Sequence, residues 1–206
     1  MISSQFVKSL QLAATAAVTF ALAAPTLAQT TTDHVRGKVT SISADAIAVQ
    51  PRHGAPVSVK LTPTWGVVLM KTVDVSAIVP GSFIGTTTIE RPDGTGKSLE
   101  VHVFPPGVKM GQGHYPWDLK PHSMMTNGDV GKVVTGPKGR TIEVSYPGGM
   151  HTVLVPANVP IVTTVGGDRA MVKVGVRVFM VPTKGPDGAL VADRVLVGEK
   201  GAAPPM

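Results

Sequence analysis

Residues 173–197 read KVGVRVFMVPTKGPDGALVADRVLV, and residues 79–103 read VPGSFIGTTTIERPDGTGKSLEVHV. The two stretches align without a gap at an offset of 94. Gly81 meets Gly175, Pro92-Asp93-Gly94 meets Pro186-Asp187-Gly188, and Val101 and Val103 meet Val195 and Val197. Asp-Gly between apolar runs is a strong hairpin signal, because both residues tolerate positive φ. Working outward at the same offset, Gly37-Lys38-Val39 lands on Gly131-Lys132-Val133, Gly54 on Gly148, Val59 on Val153, Val68 on Val162 and Asp74 on Asp168. Thirteen positions of 69 coincide, where composition alone would give about five, and they fall on turn glycines and strand valines. The period is too long for a solenoid, so the expectation is one fold used twice.

Each copy reads as short strands. Val57, Val59 and Leu61 alternate with polar or small residues, as do Ile142, Val144 and Tyr146, and then Val176, Val178 and Met180. That is the period of a half-buried strand. About five strands per copy, with a long connection before the fourth (62–80 and 156–175), predict an all-β chain. The expected architecture is two tandem small five-stranded OB-like barrels joined by an irregular linker. An open five-stranded sheet or half-sandwich fits the same pattern. The expected boundaries are barrel 1 at 34–104, a linker at 105–127, barrel 2 at 128–200 and a disordered tail at 201–206.

Residues 1–28 read as a secretory signal peptide. Lys8 precedes an uncharged apolar run from Leu10 to Ala24, and Pro25-Thr26-Leu27-Ala28 offers small residues for cleavage. The run falls short of the roughly 20 residues that span a bilayer. The expectation is a periplasmic or secreted protein with no transmembrane segment in its mature chain. The whole chain has 206 residues and a net charge of +6.

These features together resemble a family of exported bacterial repeat domains of unknown function with tandem OB-like barrels, some of whose relatives carry metal-transport labels. Copy 2 carries the likeness best, in Lys173-Val174-Gly175-Val176 and in Pro186-Asp187-Gly188-Ala189 followed by Ala192-Asp193-Arg194-Val195. The linker, from Phe104-Pro105-Pro106 to Met125-Thr126-Asn127-Gly128, is also similar. Copy 1 departs at Pro80-Gly81-Ser82-Phe83. The resemblance implies a fold and no catalytic residue.

The unduplicated linker holds the candidate site. It and the strand leading into it contain His102, Met110, His114, His122, Met124 and Met125, in a chain with no cysteine. Imidazole and thioether are the donors left for a soft metal without thiolates, so copper or zinc is the candidate ion. Met150-His151 is a further soft pair, read as a hairpin edge. No ligand spacing such as His-x-His supports the metal reading. The alternative is a tether whose Trp117, Tyr115 and methionines pack at an interface between the barrels.

Other classes are poorly served. Gly94-Thr95-Gly96-Lys97-Ser98 resembles the end of a phosphate loop, but position 91 is Arg91 and no helix follows. Aromatics make up 4% of the chain and basic residues are scattered, which argues against nucleic acid. No nucleophile elbow or paired carboxylates appear, so an enzyme is not expected. The functional expectation is an exported, non-enzymatic binding or scaffold protein of the cell envelope, its partner an envelope protein or small ligand. The alternatives are metal binding through the linker and an adhesion module acting through its basic surface.

Overall fold

The computed structural model describes residues 34–206, which belong to one compact unit. The expected signal peptide lies outside the described residues. The tail expected to be disordered at 201–206 is instead held against the first strand, where Arg36 Nε donates to the Met206 main-chain oxygen at 2.6 Å. The strands in chain order are β1 (Val35–Ile42), β2 (Ala46–Pro51), β3 (Val57–Thr72), β4 (Phe83–Glu90), β5 (Gly96–Val103), β6 (Gly113–Trp117) and β7 (Ser123–Gly136). They continue as β8 (Gly139–Tyr146), β9 (Gly149–Pro156), β10 (Ile161–Gly167), β11 (Arg177–Met180), β12 (Thr183–Lys184) and β13 (Leu190–Gly198). The described chain is all-β apart from short 3₁₀ turns, and its strands join in one mixed sheet.

The pairings close two five-stranded rings, and neither ring belongs to one repeat. In ring 1, β1 pairs β2, β2 pairs β3, β3 pairs β13, β13 pairs β11, and β11 returns to β1. In ring 2, β4 pairs β5, β5 pairs β9, β9 pairs β8, β8 pairs β7, and β7 returns to β4. The expectation of one barrel from 34–104 and another from 128–200 is therefore corrected. The first three strands of each repeat close with the last two of the other. The two cores divide the same way. Val39, Val49 and Val59 pack with Val178, Val195 and Val197, whereas Ile84 and Val101 pack with Ile142, Val144 and Val153.

The long third strand explains the exchange. At about 3.3 Å per residue, the 16 residues of β3 extend about 50 Å. They start in ring 1 and hand the chain to β4 in ring 2. Its equivalent in the second repeat is the β9–β10 pair of segments, which makes the reverse journey. β3 and β10 pair antiparallel about a local two-fold axis: Val68 faces Gly166 and Thr72 faces Val162, each pair being the other shifted by 94. The parallel pairs obey the same axis, Leu69 with Val197 and Thr163 with Val103. This is the isologous geometry of an exchanged dimer, written into one chain.

Most of the duplication is confirmed residue by residue. Asp74 and Asp168 both cap a 3₁₀ turn by accepting from the N–H two residues on. Gly94 and Gly188 have φ of 77° and 76°. The first strand is the exception. Val39 and Val130 make equivalent backbone bonds, to Val176 and Gly175 in one case and to Ser82 and Gly81 in the other. A methyl group at Gly37 would run into the Gln50 carbonyl, and one at Gly128 would run into the Ser145 carbonyl. At Gly131 the nearest backbone atom would stand 3.7 Å away. The counterpart of Gly37 is thus Gly128, and the match of Gly-Lys-Val to residues 131–133 is out of structural register by three.

Candidate functional site

The linker is not a free tether. Residues 113–117 form β6, which pairs antiparallel with the first half of β7 and lies at the outer edge of ring 2. That pairing sets His114 opposite Thr126. The buried Thr126 hydroxyl lies 2.9 Å from His114 Nδ1. A ring nitrogen engaged in this way fixes the imidazole orientation and leaves Nε2 as the free donor.

Two further side chains converge there. His151 stands near the start of β9, and its ring centroid is 4.6 Å from that of His114. Glu90 ends β4, and its Oε1 lies 3.2 Å from His151 Nε2. One ligand atom from each of Glu90, His114 and His151 falls within 4.8 Å of the other two. The Glu90–His151 approach is not aligned for a hydrogen bond, so the buried His151 Nε2 has no hydrogen-bond partner. Glu90 Oε1 also accepts from the Thr88 hydroxyl at 3.3 Å.

The local sequence makes room for this group. Gly96 faces Glu90 across the β4–β5 hairpin. A Cβ at position 96 would lie 2.8 Å from His151 Nε2. Burial, and then the neighbouring His151, hold the His114 pKa below the ordinary imidazole value, with Glu90 pulling in the opposite direction. A neutral imidazole is the form that binds a metal. Tetrahedral zinc, with bonds of about 2.0–2.1 Å, sets its ligands about 3.4 Å apart. The three donors lie within 4.8 Å of one another, so they must close by up to about 1.4 Å to reach that spacing. Two imidazoles and one carboxylate suit Zn²⁺ or Cu²⁺ better than Cu⁺.

The other expected donors are dispersed. His102 is buried, with Nδ1 3.5 Å from Glu100 Oε2, and its ring fills the space left by the missing side chain of Gly85. Met125 is buried, Met110 is half exposed, and Met124 faces Pro116 across the β6–β7 pair. His122 occupies an exposed turn with φ of 59°. Of the six expected ligands, His114 alone belongs to the three-residue group. Glu90 was missed because it reads as a strand end, and His151 because it reads as a hairpin edge.

The aromatic pair of the linker does pack between elements. The Trp117 ring lies 4.2 Å from that of His34, just before β1, and 5.9 Å from the Arg36 guanidinium. Asp118 secures the contact by accepting from both terminal nitrogens of Arg36 at 2.8 Å. Tyr115 accepts from Asn127 Nδ2 at 2.9 Å, and burial raises its pKa.

Comparison with protein-family models, with curated proteins and with solved structures finds no match.

Proposed function

We propose that this chain is a non-enzymatic binding protein that holds a divalent transition metal, Zn²⁺ foremost, between Glu90, His114 and His151. The convergence of these three donors around an orphaned, buried imidazole nitrogen carries the reading. His151 Nε2 is buried without a hydrogen bond, with only the Glu90 carboxylate 3.2 Å away, which is costly, and a metal ion would engage both groups. Three protein ligands leave one position for water or a ligand from elsewhere. The apolar run and small-residue site within residues 1–28 support export, and hence metal handling in the periplasm. The two five-stranded rings support an OB-like description of each barrel, with strands exchanged between repeats. Relative to the linker-based alternative, the site keeps His114 and replaces the methionines with residues from β4 and β9.

The test is calorimetric titration of Zn²⁺ into the protein lacking residues 1–28. One equivalent should bind at micromolar affinity or better. His151→Ala and His114→Ala should each weaken it at least about a hundredfold, since each removes one of three ligands. His122→Ala and Met110→Ala should leave it unchanged. Binding that survives His151→Ala, or that disappears with His122→Ala, would sink the proposal. A preference for Cu⁺ lost with Met110→Ala would restore the methionine-based site.

A further inference from the structure

A cluster of basic side chains lies on ring 1. A groove of about 1130 Å³ opens there, and Arg36, Lys38, Arg52, Lys120 and Arg177 line it, with no acidic side chain among the lining residues. Arg36 is already engaged, by Asp118 and by the main-chain oxygen of Met206, the last residue of the sequence, to which its Nε donates at 2.6 Å. Lys38, Arg52, Lys120 and Arg177 are exposed, and no hydrogen bond or ion pair to their side chains occurs among the described residues. Lys38 and Arg177 sit directly opposite each other on β1 and β11. Like charges in that relation destabilise a sheet. A bound anion converts the repulsion into two attractions.

The groove is not uniformly polar. Pro51, Leu119, Pro121, Pro204 and Met206 form apolar wall beside the cations. A small inorganic anion would satisfy the charges and leave that wall in contact with water. Its volume lies at or above the roughly 300–1000 Å³ typical of small-ligand sites. Guanidinium groups favour phosphate through paired N–H donors. We propose that this groove binds a phosphate-headed amphiphile, with the headgroup between Lys38 and Arg177 and the apolar body along the Pro51–Leu119 wall. This site is separate from the Glu90–His114–His151 group and does not depend on it.

The experiment is calorimetric titration of the metal-free protein with lysophosphatidylglycerol below its micelle concentration. Lysophosphatidylcholine and inorganic phosphate serve as separate arms. Lysophosphatidylglycerol should bind, and more weakly as salt rises, because exposed charges are screened. The Lys38→Ala, Arg177→Ala double variant should weaken binding about 25-fold, at roughly fivefold per basic residue. Lys132→Ala, an exposed cation in ring 2, should change nothing. Equal affinity for the choline lipid would overturn the role of the cations. Equal affinity for inorganic phosphate would overturn the role of the apolar wall. Equal weakening by Lys132→Ala would reduce the effect to net charge, and absence of binding would remove the site.

Discussion

Ring 1 and ring 2 share one backbone plan, yet chemistry has been placed on different faces of each. In ring 2, Glu90 on β4 and His151 on β9 approach each other beside Gly96 on β5. Shifted by 94, those positions are Lys184, Val57 and Leu190 in ring 1. The geometry there is the same, since Val191 faces Lys60 as Lys97 faces Leu154. In ring 1, however, Leu190 and Val57 pack against the hydrophobic core and offer no donor. The ring 1 cations show the converse. Lys38 opposes Arg177, and the structurally equivalent pair in ring 2 is Asp129 opposing Phe83. There Lys109 covers both, bonding Asp129 at 2.8 Å and lying over the Phe83 ring. Duplication preserved the positions that close the rings and freed the outward ones to diverge.

The largest expected effect breaks the shared plan itself. Gly37→Ala and Gly128→Ala should each destabilise the protein by about 3 kcal/mol or more, because the new methyl group meets a backbone carbonyl that cannot move aside. Gly131→Ala should cost less than about 1 kcal/mol, having room at that position. Chemical denaturation of the three variants measures this directly. If Gly131→Ala were the costly variant of the ring 2 pair, the three-residue offset between the first strands would be wrong.

A smaller effect sharpens the difference between the rings. Gly96→Leu installs in ring 2 the residue that ring 1 carries at position 190. The side chain would displace the His151 imidazole, so Zn²⁺ affinity should fall at least about tenfold, the range seen when ligand-orienting surroundings are lost. Overpacking should cost about 1–3 kcal/mol in stability. A Gly96→Leu protein that retained full Zn²⁺ affinity would show that His151 reaches the metal by another route.

Strands and turns were legible because their causes are local. Asp93-Gly94 and Asp187-Gly188 announced their hairpins, and the alternation at Val57, Val59 and Leu61 announced a strand. The exchange between repeats was not legible. Both repeats present the same pattern of apolar residues to their neighbours, so closure within a repeat and closure across repeats satisfy the same pairs. What separates them is the length of β3, which carries the chain out of ring 1 before β4 begins. The first-strand register was misread because Gly-Lys-Val recurs by composition, whereas the glycine at 128 is required by a close backbone approach visible only in three dimensions. The site was legible in one residue of three. His114 stood out in an unduplicated segment, but Glu90 and His151 meet it only through the β4–β5–β9 closure of ring 2.

The smallest effect concerns protons. His114 has a pKa below the ordinary 6.5, held down first by burial and then by His151. Below pH 6.5 the unfolded chain therefore takes up this proton more readily than the folded one, and acid favours unfolding. The contribution of a neutral His114 is complete above pH 6.5 and is lost as pH falls through the folded value. The stability advantage of the unsubstituted protein over His114→Gln, measured without metal, should accordingly shrink between pH 7.5 and pH 5. Zn²⁺ affinity should fall over the same interval, because the proton and the metal compete for the same nitrogen. An advantage that grew on acidification would mean that attraction between protonated His114 and Glu90 outweighs burial. The group would then be an ion pair first and a metal site second, and the contrast with Lys184 and Val57 in ring 1 would be one of charge rather than of ligation.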